Sequence, residues 1–191
     1  MKLCFATNNL HKLEEVQALL GDQFSLVTLE ETGCFDDIPE TRDTIAGNSS
    51  QKAEYIWDNY QANCFADDTG LEVTALNGEP GVYSARYAGP QRNSDDNINL
   101  LLENLKVHAD RSARFKTVIT LVIDGIYHQF EGIAEGTIIS EKRGTQGFGY
   151  DPVFIPNGHD LTFAQMSMAE KGKLSHRAKA FAKLTDFLKD L

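Results

Sequence analysis

Arg114-Phe115-Lys116-Thr117-Val118-Ile119-Thr120-Leu121-Val122-Ile123, then Asp124-Gly125, then Ile126-Tyr127-His128-Gln129-Phe130-Glu131-Gly132-Ile133-Ala134 is the stretch that decides the fold. Asp-Gly suits a two-residue turn that needs positive φ at both positions, so residues 114–134 predict a hairpin of two antiparallel strands. Upstream, strand and helix patterns alternate. Residues 2–6 read as a strand, after which Leu10, Leu13, Val16, Leu19 and Leu20 fall on one helical stripe that Asn8 or Asn9 can cap. Residues 24–29 read as a strand, 44–60 as a helix turning Ala53, Ile56, Trp57 and Tyr60 inward, and 63–66 as a strand ending at Asp67-Asp68-Thr69-Gly70. Residues 71–75 read as extended and Asn77-Gly78-Glu79-Pro80-Gly81 as a turn. Ser94-Asp95-Asp96 opens a helix whose buried stripe is Ile98, Leu101, Leu102 and Leu105. Ser175 caps a last helix with Ala178, Phe181, Leu184 and Leu188 facing the core. Strand-helix-strand units followed by an antiparallel ribbon predict an α/β (α+β) fold with one mixed sheet.

The 191 residues carry 18 Lys+Arg against 28 Asp+Glu, a formal net charge of −10. With no repeat, low-complexity tract or Pro/Ser-rich linker, residues 1–191 read as a single domain large enough to need no disulfide or metal staple. Cys4, Cys34 and Cys64 are odd in number and form no C-x-x-C pair, which fits a reducing cytoplasm and argues against a structural zinc site. No segment approaches the ~18–20 apolar residues of a membrane span. The acidic balance disfavours nonspecific binding to nucleic acid or an anionic membrane, since both require a cationic field.

Four constellations could carry chemistry. Thr7-Asn8-Asn9-Leu10-His11-Lys12 stands at a strand-to-helix junction, where orphan amides and the helix dipole make an anion site and Lys12 lies one turn in. The bland alternative is two asparagine caps and a solvated lysine. Asp67-Asp68-Thr69-Gly70 places two carboxylates at a strand end, and a hard cation such as Mg²⁺ takes one or two protein carboxylates plus substrate phosphates. A plain Asx turn is the competing reading. Gly144-Thr145-Gln146-Gly147-Phe148-Gly149-Tyr150-Asp151-Pro152 suits a loop that packs backbone and a ring on a flat ligand, or a glycine turn with Phe148 in the core. Lys171 with Ser175-His176-Arg177 heads the last helix, where a cation opposes the dipole and a donor-only guanidinium could favour a carbonyl over an amine on a base edge. An exposed charged helix start is the alternative. Arg86, in the aromatic loop Gly81-Val82-Tyr83-Ser84-Ala85-Arg86-Tyr87-Ala88-Gly89, could touch a phosphate or brace the loop on an acid. No P-loop, H-E-x-x-H or G-x-S-x-G occurs.

Taken in order, Ala6-Thr7-x-Asn9-x-x-Lys12, Pro39-Glu40-Thr41 with Asn48 and Lys52-Ala53, Ala66-Asp67-Asp68-Thr69-Gly70-Leu71, Pro80-Gly81-Val82-Tyr83-Ser84-Ala85-Arg86-Tyr87, Gly147-Phe148-Gly149-Tyr150-Asp151-Pro152, and Glu170-Lys171 with Ser175-His176-Arg177 resemble the inosine/xanthosine triphosphate pyrophosphatase family over nearly the whole chain. The resemblance implies an elongated mixed-sheet fold with flanking helices, a central nucleotide-binding cleft and a homodimer. It implies hydrolysis of ITP, dITP and XTP between the α and β phosphates, with Mg²⁺ as cofactor. Carried over residue by residue, Thr7, Asn8, Asn9, Leu10, His11, Lys12 and Lys52 resemble the triphosphate grip, and Glu40 and Asp68 the metal ligands. Asp68 is also similar to the residue that activates water. Thr69 resembles a substrate contact, Phe148, Gly149, Tyr150 and Asp151 a holder for base and sugar, and Lys171, His176 and Arg177 readers of the purine 6-oxo edge. Asn8 and His11 stand where members often carry glycine, Thr69 where serine is commoner, and Gly47 where many have glutamate. Two rivals come from other classes: a nucleotide-sensing module without turnover, and an RNA-binding domain that stacks bases on Phe148 and Tyr150.

Overall fold

The Asp124-Gly125 pair forms the turn expected of it, with φ of 49° and 79°, and joins two strands longer than the pattern suggested. A computed structural model describes residues 2–7, 12, 16 and 25–190. Among them the strands are β1 (Lys2–Phe5), β2 (Ser25–Val27), β3 (Cys64–Val73), β4 (Ser112–Ile123), β5 (Ile126–Ile138) and β6 (Phe154–Pro156). The helices are α1 (Ile45–Tyr60), α2 (Ser94–Asn104), α3 (Met168–Leu174) and α4 (His176–Lys189). The sheet order is β2-β1-β3-β4-β5-β6. β1 runs parallel to β2 and β3, whereas β5 and β6 are antiparallel, so the sheet is mixed and the fold α/β, as expected. Lys12 and Val16 are helical; Asn8, Asn9, Leu10, His11, Leu13, Leu19 and Leu20 lie outside the described residues. No helix among the described residues is long and apolar enough to cross a membrane.

The chain divides into two compact units. The first comprises Met1–Asp68, Thr117–Gly132 and Ala178–Leu191, the second Thr69–Lys116 and Ile133–Arg177. In the first unit, strand alternation sorts side chains onto two faces. Leu3, Phe5, Phe65, Ile119 and Leu121 gather with Ala180, Phe181, Leu184 and Leu188 of α4. Phe5 stacks on Phe65 at 4.6 Å, and Phe181 meets both rings edge-on. Cys4, Ala6, Cys64, Ala66 and Val122, of the other parity on their strands, gather with Ala53 and Ile56 of α1. Trp57 and Tyr60 only partly join that cluster. The second unit is built on Leu71, Val73, Ile98, Leu101, Leu105, Phe115, Phe154 and Phe163.

One expectation needs correction. Asp67-Asp68-Thr69-Gly70 is not the end of a strand but the middle of ten-residue β3. Acids are depleted in strands, yet these two are tolerated because each carboxylate meets a lysine: Asp67 meets Lys12 and Asp68 meets Lys52. The helix expected to open at Ser94 does so, with Asp95 and Asp96 in its first turn and Asn93 as its cap, whose side chain accepts the Asp96 N–H at 3.0 Å.

Candidate active site

In the first unit, α1 is capped by Thr44, whose backbone is extended and whose hydroxyl accepts the Gly47 N–H at 3.0 Å. Asn48, Lys52 and Ile56 follow at four-residue spacing and therefore share the buried face, which takes the Lys52 side chain inward. Its Nζ lies 2.7 Å from Glu40 Oε1 and 3.4 Å from Asp68 Oδ1. The segment carrying Glu40 is tied to the same helix. Asn48 Oδ1 accepts the Arg42 N–H, while Gln51 Oε1 accepts the Thr41 N–H and its amide donates to the Thr41 hydroxyl, each at 2.9 Å. Ser49 Oγ donates to the Ala66 carbonyl at 3.0 Å, tying α1 to β3 just before the acidic pair.

Strand parity separates the two aspartates. Asp68 shares its parity with Cys64 and Ala66, the α1 side, and meets Lys52. Asp67 points the other way, is buried, and holds Lys12 Nζ at 3.0 Å. Burial pushes the Asp68 carboxyl above the usual carboxylate range; Lys52 and Lys12 pull it back, and Glu40 and Asp67 add to the rise. Burial alone would lower Lys52, but Asp68, Glu40 and Asp67 outweigh it and hold the ammonium above its ordinary value. Both groups are thus set by a shared field rather than by solvent.

In the second unit, Ser167 and Glu170 form a reciprocal capping box that starts α3 and sets Lys171 on its buried side. Lys171 Nζ lies 2.8 Å from Asp151 Oδ2, which also accepts the Phe148 N–H at 2.9 Å. Asp151 therefore ties the glycine loop to α3. Gly147 is required there, because its φ is +73° and a Cβ would lie 2.0 Å from Asp151 Oδ2. The Phe148 ring meets two cations, with Lys171 Nζ 5.2 Å and the Arg177 guanidinium carbon 5.6 Å from its centroid. Arg177 is 1% exposed and donates from Nη2 to Thr69 Oγ1 at 3.5 Å. His176, also buried, stacks on Phe115 with centroids 4.6 Å apart and planes 14° apart.

The expected residues thus assemble as two clusters. Lys12, Glu40, Lys52, Asp67 and Asp68 form one. Thr69, Phe148, Asp151, Lys171 and Arg177, with His176 on Phe115, form the other. Lys171, His176 and Arg177 are buried, not an exposed helix start. Tyr150 is buried with its hydroxyl donating to the Ser84 carbonyl at 2.8 Å, and Gly149 has a φ of +61° beside it. Thr7, half-buried after β1, donates its N–H to the Phe5 carbonyl. Arg86 lies 5.2 Å over the Tyr83 ring. Neither Gln51 nor Phe115 is among the site residues that motifs make legible in the sequence. Phe115 was detectable by the buried-exposed alternation of β4, whereas Gln51 carries no local signal.

Among the described residues no three His, Cys, Asp or Glu side chains gather as a metal cage. The first cluster still fits a hard cation. Two carboxylates converge on one ammonium, and Mg²⁺ uses one or two protein carboxylates and completes its shell with water and phosphate oxygens. Two lysines here already face three carboxylates, so a polyanion would need additional positive charge.

Fold and clusters together define an α/β protein that holds buried charge in preformed arrays. The Ham1 family model matches residues 3–187, and the chain belongs to that family. The dITP/XTP pyrophosphatase of Flavobacterium johnsoniae is 54% identical over 188 residues, covering 98% of both chains. That of Porphyromonas gingivalis is 56% identical over 188 residues, 98% of this chain and 97% of its own. The structure of the Staphylococcus aureus Ham1 protein superposes with a TM-score of 0.92 at 38% identity, covering 100% of this chain and 99% of that one.

Proposed function

We propose that this chain is a nucleoside-triphosphate pyrophosphatase that hydrolyses ITP, dITP and XTP between the α and β phosphates. The observation that carries the reading is Lys52 shared between Glu40 and Asp68, a buried cation-carboxylate array suited to polyphosphate chemistry. The second cluster supplies the complementary chemistry, an aromatic ring with buried cationic donors, suited to a purine. The names of the full-length relatives agree with this reading.

Lys12 and Lys52 bind phosphate oxygens and oppose the charge that builds on the leaving group. Asp68 orients water and takes its proton as the water oxygen bonds to the α phosphorus. The bond from that phosphorus to the bridging oxygen breaks, and pyrophosphate departs with its electron pair. A carboxyl raised by burial is a better base than an exposed one. Glu40 and Asp68 would hold Mg²⁺, which when bound supplies charge cancellation on the phosphates. Lys171 and Arg177 can only donate, so they match a 6-oxo group and would be left unpaired against adenine's 6-amino group, a mismatch that can exclude a substrate by about 10⁴-fold. A homodimer in a reducing cytoplasm completes the reading, on the family resemblance and three buried free thiols.

The test is release of pyrophosphate against orthophosphate from ITP, XTP and ATP, with Mg²⁺ and with chelator. Magnesium-dependent pyrophosphate from ITP and XTP with ATP nearly untouched is expected. Orthophosphate alone would refute the cleavage position, and tight ITP binding without release of either product would favour a sensing module.

A further inference from the structure

The Phe148 cluster reads a flat base only if its donors are held in a fixed plane, and one residue outside every motif holds His176. Ser175 is extended between α3 and α4, so His176 opens α4 with its ring buried against β4. Alternation along β4 leaves Ser112 and Arg114 outward and turns Ala113 and Phe115 inward. The Phe115 and His176 rings lie 4.6 Å apart and only 14° from parallel. Phe115 is itself fixed on two further sides. Phe154 meets it edge-on at 4.7 Å and 64°, and Phe163 stacks at 6.0 Å and 27°. The torsion that sets an imidazole plane is broad and roughly two-fold by itself, so the plane is set by what packs on the ring. Donors in a binding constellation must be held to within roughly 0.5 Å and 10–20°.

We propose that Phe115 is a positioning residue for base selection: its face fixes the plane of His176 so that the imidazole edge is presented to the purine 6-oxo edge. The proposal rests on the function given above and adds a residue that itself touches no substrate. Phe163 links the array to the other reader, since Lys171 Nζ lies 5.8 Å from its centroid.

Two measurements test it. In protein carrying labelled histidine, with the His176 signals assigned through His176→Asn, the ring protons of His176 should lie upfield of free histidine through the Phe115 ring current and relax toward the free position in Phe115→Leu. Unshifted His176 protons in the unsubstituted protein overturn the proposal without any variant having to fold. In steady-state assays, Phe115→Leu should lower the ratio of kcat/KM for ITP over ATP by roughly three- to tenfold, the range that loss of one aromatic pair would give. Phe65→Leu, a core change in the first unit, should leave that ratio unchanged. A folded Phe115→Leu with an unchanged ratio refutes the positioning role. An unsubstituted protein that shows the ring-current shift yet no preference for ITP over ATP refutes the functional reading instead.

Discussion

Lys171→Met removes the cation from a buried pair and leaves Asp151 Oδ2 with the Phe148 N–H but without the ammonium at 2.8 Å. The two side chains are 10% and 4% exposed, so water does not replace the lost partner. Removing one member of a buried ion pair costs about 3–5 kcal/mol because the surviving charge is uncompensated. Methionine preserves the length of the side chain and can restore part of the contact with Phe148 and Phe163 through sulfur. The expected loss is therefore about 3 kcal/mol, which for a chain of this length lowers Tm by roughly 6–12 °C. Asp151→Asn in the same background removes the stranded charge while keeping an acceptor for the Phe148 N–H. The double variant should recover most of the loss, with a coupling of about 2 kcal/mol in a double-mutant cycle from urea unfolding. A single variant within about 1 kcal/mol of the unsubstituted protein, or coupling below about 0.5 kcal/mol, would show that the pair does not organise the loop.

Asp68→Asn should lower kcat by about 10²–10⁴-fold with ITP binding largely retained, and a folded variant with unchanged turnover would refute its role as base. Because burial raises the Asp68 carboxyl and the active form is the ionised one, kcat/KM should fall with decreasing pH with its inflection above the usual value of about 4; Lys52→Gln removes a charge that lowers it and should move the inflection further up. Arg177→Ala should narrow the ITP-over-ATP preference at least about tenfold, and an unchanged ratio would exclude the guanidinium from base reading. Burial, with a smaller contribution from Cys4, pushes the Cys64 thiol up to about 12, and Cys4 is itself raised by burial. At about pH 8, iodoacetamide should therefore leave both unmodified in native protein and label them on denaturation, whereas rapid native labelling at Cys64 would contradict its packing.

The hairpin at Asp124-Gly125, helix α1 and the mixed character of the sheet were legible because each depends on neighbours a few residues apart. Turn chemistry sets φ, and periods of two or 3.6 residues sort apolar side chains. The glycine loop was visible as composition, but its use of Gly147 was not: the reason is a carboxylate four residues on that turns back to accept the Phe148 N–H. Asp67 and Asp68 show the failure most clearly. Two acids before a glycine read as a strand end, yet β3 continues through them because lysines from elsewhere in the chain meet each carboxylate.

The order of motifs in the chain was enough to place it in its family, and strand parity alone could send Asp67 and Asp68 to opposite faces. Tertiary structure decided the partners. Lys12 reaches Asp67 across 55 residues, Lys52 reaches Asp68 across 16, and Arg177 reaches Thr69 across 108. Local propensity carries no record of such distances. Only closure of the sheet and docking of the helices place these charges out of water, where each must find the other.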